Sequence, residues 1–230
     1  MAIIYGRADS EKQLLSKYPK EVEKIEDIPK VHEYFKDKLK EEDRGVFAVF
    51  RKWNKQRQVN KFEKNKDNPF HAGARGELKV LDRLSELSDD YHVLCGLNIG
   101  LNYWVRYNGK KNLRSAQMDF VVVSRKGVFL IEVKNWSTEY YNQREGLSPH
   151  EQADRAGRVL WIFLKSWWSS PRVKTILLPI QGNIDYDPKY RHVLVSDLTK
   201  INHFIENGRE ELSEKDVKRI VGSIKHHVTK

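Results

Sequence analysis

Asp119, Glu132 and Lys134 are charged residues in stretches where charge is costly. Asp119 opens the apolar run Asp119-Phe120-Val121-Val122-Val123, and Glu132 and Lys134 end another that starts at Gly127. Both runs are short and β-branched, as expected of strands buried on both faces, with Ser124-Arg125-Lys126-Gly127 as the turn between them. Ionised groups inside such strands are unfavourable unless they are paired or bound to a metal. Two adjacent carboxylates repel, and a divalent cation between them removes the repulsion. This is the residue set of a metal-dependent phosphodiesterase, in which the cation polarises a phosphoryl oxygen and supplies hydroxide near neutral pH.

The grouping depends on register. With Arg125-Lys126 as a two-residue loop, Ser124 faces Gly127 and Asp119 faces Glu132. With Lys126-Gly127 as the loop, Asp119 faces Lys134. Side chains alternate along a strand and directly opposed residues share a face, so either register places Asp119, Glu132 and Lys134 together. A three-residue loop separates them.

The surrounding elements follow from periodicity. Gly73-Ala74-Arg75-Gly76 leads into a helix through about Leu87, whose core face is Val80, Leu81, Leu84 and Leu87. Glu77 lies three and four residues before Val80 and Leu81, on that same apolar face. It either complements the helix dipole from the first turn or turns toward the charged hairpin; beside Asp119 and Glu132 the second reading is preferred. Tyr91 to Leu101 reads as a strand. Tyr103 to Ser115 is polar and basic, with a turn at Gly109-Lys110-Lys111-Asn112. Asn142 to Gly146 reads as loop. Ser148-Pro149-His150-Glu151 starts a helix, with an N-cap serine, proline at the first position and glutamate three residues after the cap. That helix continues through Ala153, Ala156, Val159, Leu160, Phe163 and Trp167, and Gln152 points to its inner side. Trp168 reads as a surface or interface residue. Val173 to Ile180 and His192 to Ser196 are strand candidates. Asp197 caps a short helix ending at Gly208, and Ser213 opens a last helix through Ile224. This order argues an α/β fold with a mixed sheet.

Residues 1–68 differ in character and read as a basic helical extension of a domain spanning 69–230, with the boundary at Asn65-Lys66-Asp67-Asn68-Pro69. Val46, Phe47, Val49, Phe50 and Trp53 have helical spacing. Arg51, Lys52, Lys55, Arg57, Lys61, Lys64 and Lys66 stand against only Glu63, with Trp53 and Phe62 interleaved. The segment is either a solvated helix face or an arm that contacts phosphates. In the whole chain of 230 residues, Lys and Arg number 42 against 32 Asp and Glu, a net charge of +10. That favours a polyanionic partner. Nucleic acid is preferred to a membrane surface, because no strongly amphipathic basic helix with a clean apolar face stands out. The single cysteine, Cys95, excludes an internal disulfide and a thiolate metal cluster. No histidine pair has ligand spacing for zinc. No signal peptide and no apolar run of the ~20 residues needed to span a bilayer is apparent, so a cytoplasmic location is expected.

Taken in order, Gly73-x-x-Gly76-Glu77, then Gln117-Met118-Asp119-Phe120-Val121-Val122-Val123-Ser124, then Gly127 to Lys134 and Asn135, resemble the nuclease-related domain NERD of the PD-(D/E)xK restriction-endonuclease-like superfamily. Ser148-Pro149-His150-Glu151-Gln152 is similar to the family's Asn-Pro-x-x-Gln helix start. The resemblance covers roughly residues 70 to 195. Trp136-Ser137-Thr138 stands where the family often has a glycine. Ala156 stands four residues after Gln152, where some related exonucleases have tyrosine. The resemblance implies a restriction-endonuclease-like mixed sheet flanked by helices and a site for Mg²⁺ or Mn²⁺. Asp119, Glu132 and the Val133 carbonyl would ligate the metal. Lys134 would position or activate the attacking water, Glu77 would help hold the metal's water, and Gln152 would orient phosphate or water. The expected activity is metal-dependent hydrolysis of phosphodiester bonds in DNA, with a homodimer or a larger DNA-processing assembly compatible with it. The alternatives are a nucleic-acid-binding module without turnover and a module that recruits a partner through its basic helices.

Overall fold

A computed structural model describes residues 1–41, 47–66, 70–136, 146–166 and 172–229. Val46, Asp67 to Pro69, Ser137, Thr138, most of the Asn142–Gly146 loop, and Trp167 and Trp168 lie outside the described residues. The chain divides into two compact units, Met1–Asp9 with Gly76–Lys230, and Ser10–Arg75.

The larger unit is built on a six-stranded mixed sheet of order β1-β2-β3-β4-β5-β6. The strands are β1 (Ile3–Tyr5), β2 (His92–Tyr107), β3 (Lys110–Ser124), β4 (Gly127–Asn135), β5 (Val173–Gln181) and β6 (Val193–Val195). β2, β3 and β4 are successively antiparallel, whereas β1 joins β2, and β5 and β6 extend from β4, in parallel. The first residues of the chain thus supply an edge strand to this unit.

The charged hairpin has the first of the two registers. Ser124 pairs with Gly127 and Phe120 with Ile131, so the loop is Arg125-Lys126. Gly127 has φ of 120°, a conformation costly for residues with a Cβ. The polar segment after Leu101 continues β2 instead of leaving the sheet. Its tight turn is Asn108-Gly109, with φ of 47° and 78°, and Tyr107 pairs with Lys110. Two successive positive φ values define the hairpin turn that Asn-Gly favours, two residues earlier than the turn expected at Gly109–Asn112.

Helices cover both faces. One face carries Leu94, Val121, Val123, Val128 and Leu130 under α5 (Pro149–Lys165) and α7 (Glu214–Ile224), through Val159, Leu160, Ile220 and Ile224. The other carries Val93, Phe120, Val122, Phe129 and Ile131 under α4 (Phe70–Ser85) and α6 (Ile201–Glu206), through Val80, Leu84 and Ile205. Burying a side chain of this kind contributes roughly 1.5–3 kcal/mol. Ser148 caps α5 by accepting the Glu151 N–H at 3.1 Å. The Glu151 carboxylate accepts the Tyr190 hydroxyl at 3.2 Å. α7 has the full reciprocal capping box between Ser213 and Asp216. No helix among the described residues is long and apolar enough to cross a membrane.

The smaller unit contains most of α1 (Asp9–Leu15), then α2 (Asp27–Lys40), α3 (Ala48–Asn65) and the first turn of α4. Leu14, Tyr18, Val59 and Phe62 are buried. Phe62 stacks on His32, their rings 4.7 Å apart. Phe47, Val49, Phe50 and Trp53 are exposed.

Candidate active site

β3 and β4 separate at the acidic residues. Their pairing stops at Phe120–Ile131, while β3 continues beside β2 as far as Lys110 and β4 continues beside β5 as far as Asn135. The next opposed pair would be Asp119 and Glu132, and the gap begins there. Asp119 alternates with Val121 and Val123, and Glu132 and Lys134 with Leu130, so all three side chains belong to the α5 face. Asp119 spans the gap instead of a backbone carbonyl: its Oδ2 accepts the Val133 N–H at 2.7 Å. The N–H and C=O of one strand residue leave the strand on the same edge, so the Val133 carbonyl also points toward the gap.

Asp119, Glu132, Gln117, Gln152 and Arg155 line a cleft of about 300 Å³, together with Ser115, Ala116, Leu147 and Ala156. Glu132 and Lys134 are nearly buried, and the Lys134 Nζ donates to Glu132 Oε1 at 2.6 Å. The Lys134 ammonium also lies 5.2 Å from the centre of the Trp136 ring. Asp119 is half-buried. Burial, and then the negative charges of Glu132 and Glu77, raise its carboxyl well above the ordinary carboxylate range; Lys134 and the Val133 N–H oppose the shift.

Glu77 reaches this cluster from the other side. It is buried on α4, against the opposite face of the sheet, and its charge is felt by both Asp119 and Cys95. Gly76 explains how α4 comes so near. A Cβ there would lie 2.7 Å from the Cβ of Asn135, the last residue of β4, so only glycine admits this approach. The Cys95 thiol, buried and near Glu77, is pushed up to about 12 and is inert as a nucleophile.

Gln152 lies in the first turn of α5, half-buried, and its Nε2 donates to the Leu147 carbonyl at 3.1 Å. It thus borders the acidic cleft and also braces the segment before the helix. Sequence reasoning passed over Arg155. It lies three residues after Gln152 and therefore on the same helix face, which is the signal that points to it. Its Nη2 donates to the Asn112 carbonyl at 2.8 Å, and its guanidinium lies 4.9 Å from the Tyr107 ring centre. Gln117, at the other wall, donates to Asp9. Arg51, Lys52, Lys55, Arg57, Lys61 and Lys64 all lie on α3, in the Ser10–Arg75 unit. Arg51, Lys52, Arg57 and Lys64 are exposed, and Lys55 lies 4.0 Å from Glu41.

The donors that face the cleft are oxygens. Among the described residues no three His, Cys, Asp or Glu side chains stand close enough to hold a metal. A pair of carboxylates with one carbonyl fits a cation that keeps several of its waters, which is the habit of Mg²⁺. The raised Asp119 carboxyl is the electrostatic consequence of placing two carboxylates there with only one lysine, and a divalent ion offsets it.

A family model described as Nuclease-related domain matches residues 72–180. No curated protein and no solved structure matches the chain. The matched segment runs from the start of α4 through β5, and includes Glu77, Asp119, Glu132, Lys134 and Gln152. Residues 72–180 therefore match the nuclease-related domain family, with which placement in the PD-(D/E)xK superfamily is consistent.

Proposed function

We propose that this protein is a metal-dependent nuclease that hydrolyses phosphodiester bonds in DNA with Mg²⁺ or Mn²⁺. The observation that carries the reading is the junction of Asp119 and Glu132 where β3 and β4 part, in a cleft shared with Gln152 and Arg155. Asp119, Glu132 and the Val133 carbonyl would hold the cation, which supplies Lewis acidity toward a phosphoryl oxygen when bound. Lys134, held by Glu132, places a positive charge beside the position of a reacting phosphate and offsets the charge that develops on it. Glu77 adds a negative charge behind Asp119, which favours a cation in the gap and orients water there. Gln152 presents its amide at the cleft wall, where it can hold a phosphate oxygen or a water. Arg51, Lys52, Lys55, Arg57, Lys61 and Lys64 supply exposed or half-exposed positive charge on one helix for sequence-independent phosphate contacts.

The direct Lys134–Glu132 pair also favours a second reading. It neutralises one carboxylate without a metal, as in a binding module on the same fold that does not turn over. Purified protein incubated with linear, circular and single-stranded DNA and with RNA, in Mn²⁺, Mg²⁺ or chelator, separates the two. Cleavage of DNA in metal and none in chelator is expected. Binding without cleavage under every condition establishes the second reading, and cleavage in excess chelator removes the metal from the mechanism.

A further inference from the structure

The hairpin formed by β2 and β3 continues the strand that carries Asp119. From Tyr91 to Met118 the chain contains no acidic residue. Arg106, Lys110, Lys111 and Arg114 lie in its outer part, all exposed, and none forms an ion pair among the described residues. Arg106 and Lys111 are directly opposed across the strands. Like charges at opposed positions are destabilising, and an anion lying across both converts the repulsion into attraction.

The same segment exposes aromatic rings. Between the pairs Gly100–Ser115 and Val105–Leu113, β2 advances five residues while β3 advances two. The surplus forms a bulge from Leu101 to Trp104, and bulges re-aim side chains. Tyr103 is 62% exposed and Trp104 is 50% exposed. The Arg114 guanidinium lies 5.9 Å from the Trp104 ring centre, and its Nε donates to the Leu101 carbonyl at 3.4 Å, which ties the bulge to β3.

The inner side of the hairpin is anchored. Tyr107 is buried and its hydroxyl donates to Asp154 of α5 at 2.6 Å, and Arg155 holds the Asn112 carbonyl. Arg155 also lines the acidic cleft, and Ser115 and Ala116, the next residues of β3 after Arg114, form its wall. Asp119 lies five residues along the strand from Arg114, about 17 Å at ~3.4 Å per residue. The hairpin is thus a rigid, basic, aromatic surface continuous with the cleft.

We infer that this hairpin is the surface that grips a nucleic-acid strand and leads it to the acidic cleft, with Arg106, Lys110 and Lys111 on phosphates and Trp104 and Tyr103 stacking on unpaired bases. The inference rests on the hydrolase reading for the role of the cleft, and adds a preference for a strand with exposed bases. Stacking on an aromatic side chain needs a free base face, which a duplex offers only at its ends.

The test is binding of a labelled oligothymidylate by fluorescence anisotropy, in chelator so that no cleavage intervenes. The triple substitution Arg106→Ala, Lys110→Ala, Lys111→Ala is expected to weaken binding at least tenfold and to flatten the plot of log affinity against log salt by roughly 2, at about 0.7 per phosphate no longer neutralised on a single strand. Its melting temperature should not fall, because an opposed like-charge pair is relieved. Trp104→Ala should weaken binding about tenfold with the salt slope unchanged, the mark of weakened stacking. Three results overturn the proposal: wild type that binds no nucleic acid, wild type that binds a blunt duplex as tightly as the single strand, or variants with wild-type affinity. Binding abolished in the hairpin variants, from a wild type that never cleaves, removes the hydrolase reading and leaves the hairpin. Wild-type cleavage by both variants at subsaturating substrate removes the hairpin and leaves the hydrolase.

Discussion

Asp119 accepts the backbone N–H of Val133 across the point where their two strands cease to pair. A ladder bond is replaced by a carboxylate, which keeps the separated strands tied while holding the acid between them. The same bond fixes the orientation of Asp119 and turns the Val133 carbonyl toward the acid pair.

This geometry predicts different consequences for the two carboxylates. Asp119→Asn keeps an acceptor for the Val133 N–H, so the fold should survive while Mn²⁺ binding weakens sharply and cleavage falls below detection. Glu132→Ala should have the same effect on cleavage, and in addition it leaves the nearly buried Lys134 without its carboxylate. Removing a buried partner costs about 1–3 kcal/mol or more, so Glu132→Ala should melt earlier than Asp119→Asn. Calorimetric titration with Mn²⁺, a cleavage assay and a thermal melt check the set. Undiminished cleavage by either variant removes the acid pair from the site.

The raised Asp119 carboxyl sets a pH dependence. In the metal-free fold it holds a proton at pH values where the unfolded chain has released it. Its contribution to stability is therefore fully present below the unfolded value of ~3.9 and is lost as pH rises through the folded value. A cation must displace that proton, so Mn²⁺ affinity should climb with pH over the same interval and binding should release protons. Titration in two buffers of different ionisation enthalpy measures the release. Asp119→Asn should abolish both the release and the decline in metal-free stability.

Gln152 separates positioning from architecture. Its amide braces the Leu147 carbonyl, but Leu147 is exposed, so water can replace that bond. Gln152→Ala should thus leave Mn²⁺ affinity and melting temperature near wild type. Cleavage should fall about tenfold to a hundredfold, as expected when one positioning interaction of ~1.4–2.7 kcal/mol is removed. A variant that melts much earlier with normal activity in its folded fraction would make Gln152 structural.

For the basic helix α3, removal of residues 1–68 is a poor test, because β1 belongs to the sheet. Replacing Arg51, Lys52, Arg57 and Lys64 with alanine keeps β1. If these residues bind duplex phosphates, the slope of log affinity against log salt should flatten by about 0.9 for each phosphate that is no longer neutralised. An unchanged slope in the folded variant returns α3 to a solvated face.

Much of this was legible before folding was considered. Short β-branched runs and a Ser-Pro start specify strands and helix through local sterics and hydrogen bonding, whereas the turn expected at Gly109–Asn112 forms instead at Asn108-Gly109. The period-two alternation placed Asp119, Glu132 and Lys134 on one face as soon as the loop had two residues. The periodicity of α4 likewise put Glu77 among Val80 and Leu84. Local rules reached no further. The polar, basic stretch after Leu101 reads as an excursion because its outer face is wet, yet backbone pairing to β3 and the anchoring of Tyr107 make it strand.

What required the tertiary structure are relationships between residues distant in the chain. At the acid pair β3 stops pairing with β4 while it stays paired with β2, and β4 stays paired with β5. The place of Glu77 on the opposite face of the sheet depends on α4 packing there, and on Gly76 yielding room to Asn135. Arg155 joins the cleft only because α5 lies across β3. Types and spacings therefore determined which residues could share the chemistry and which faces they occupy, since alternation is intrinsic to each strand and helix. The gap, the cleft and the field that raises Asp119 came from packing, because distances between elements are set by the whole core and by no single segment.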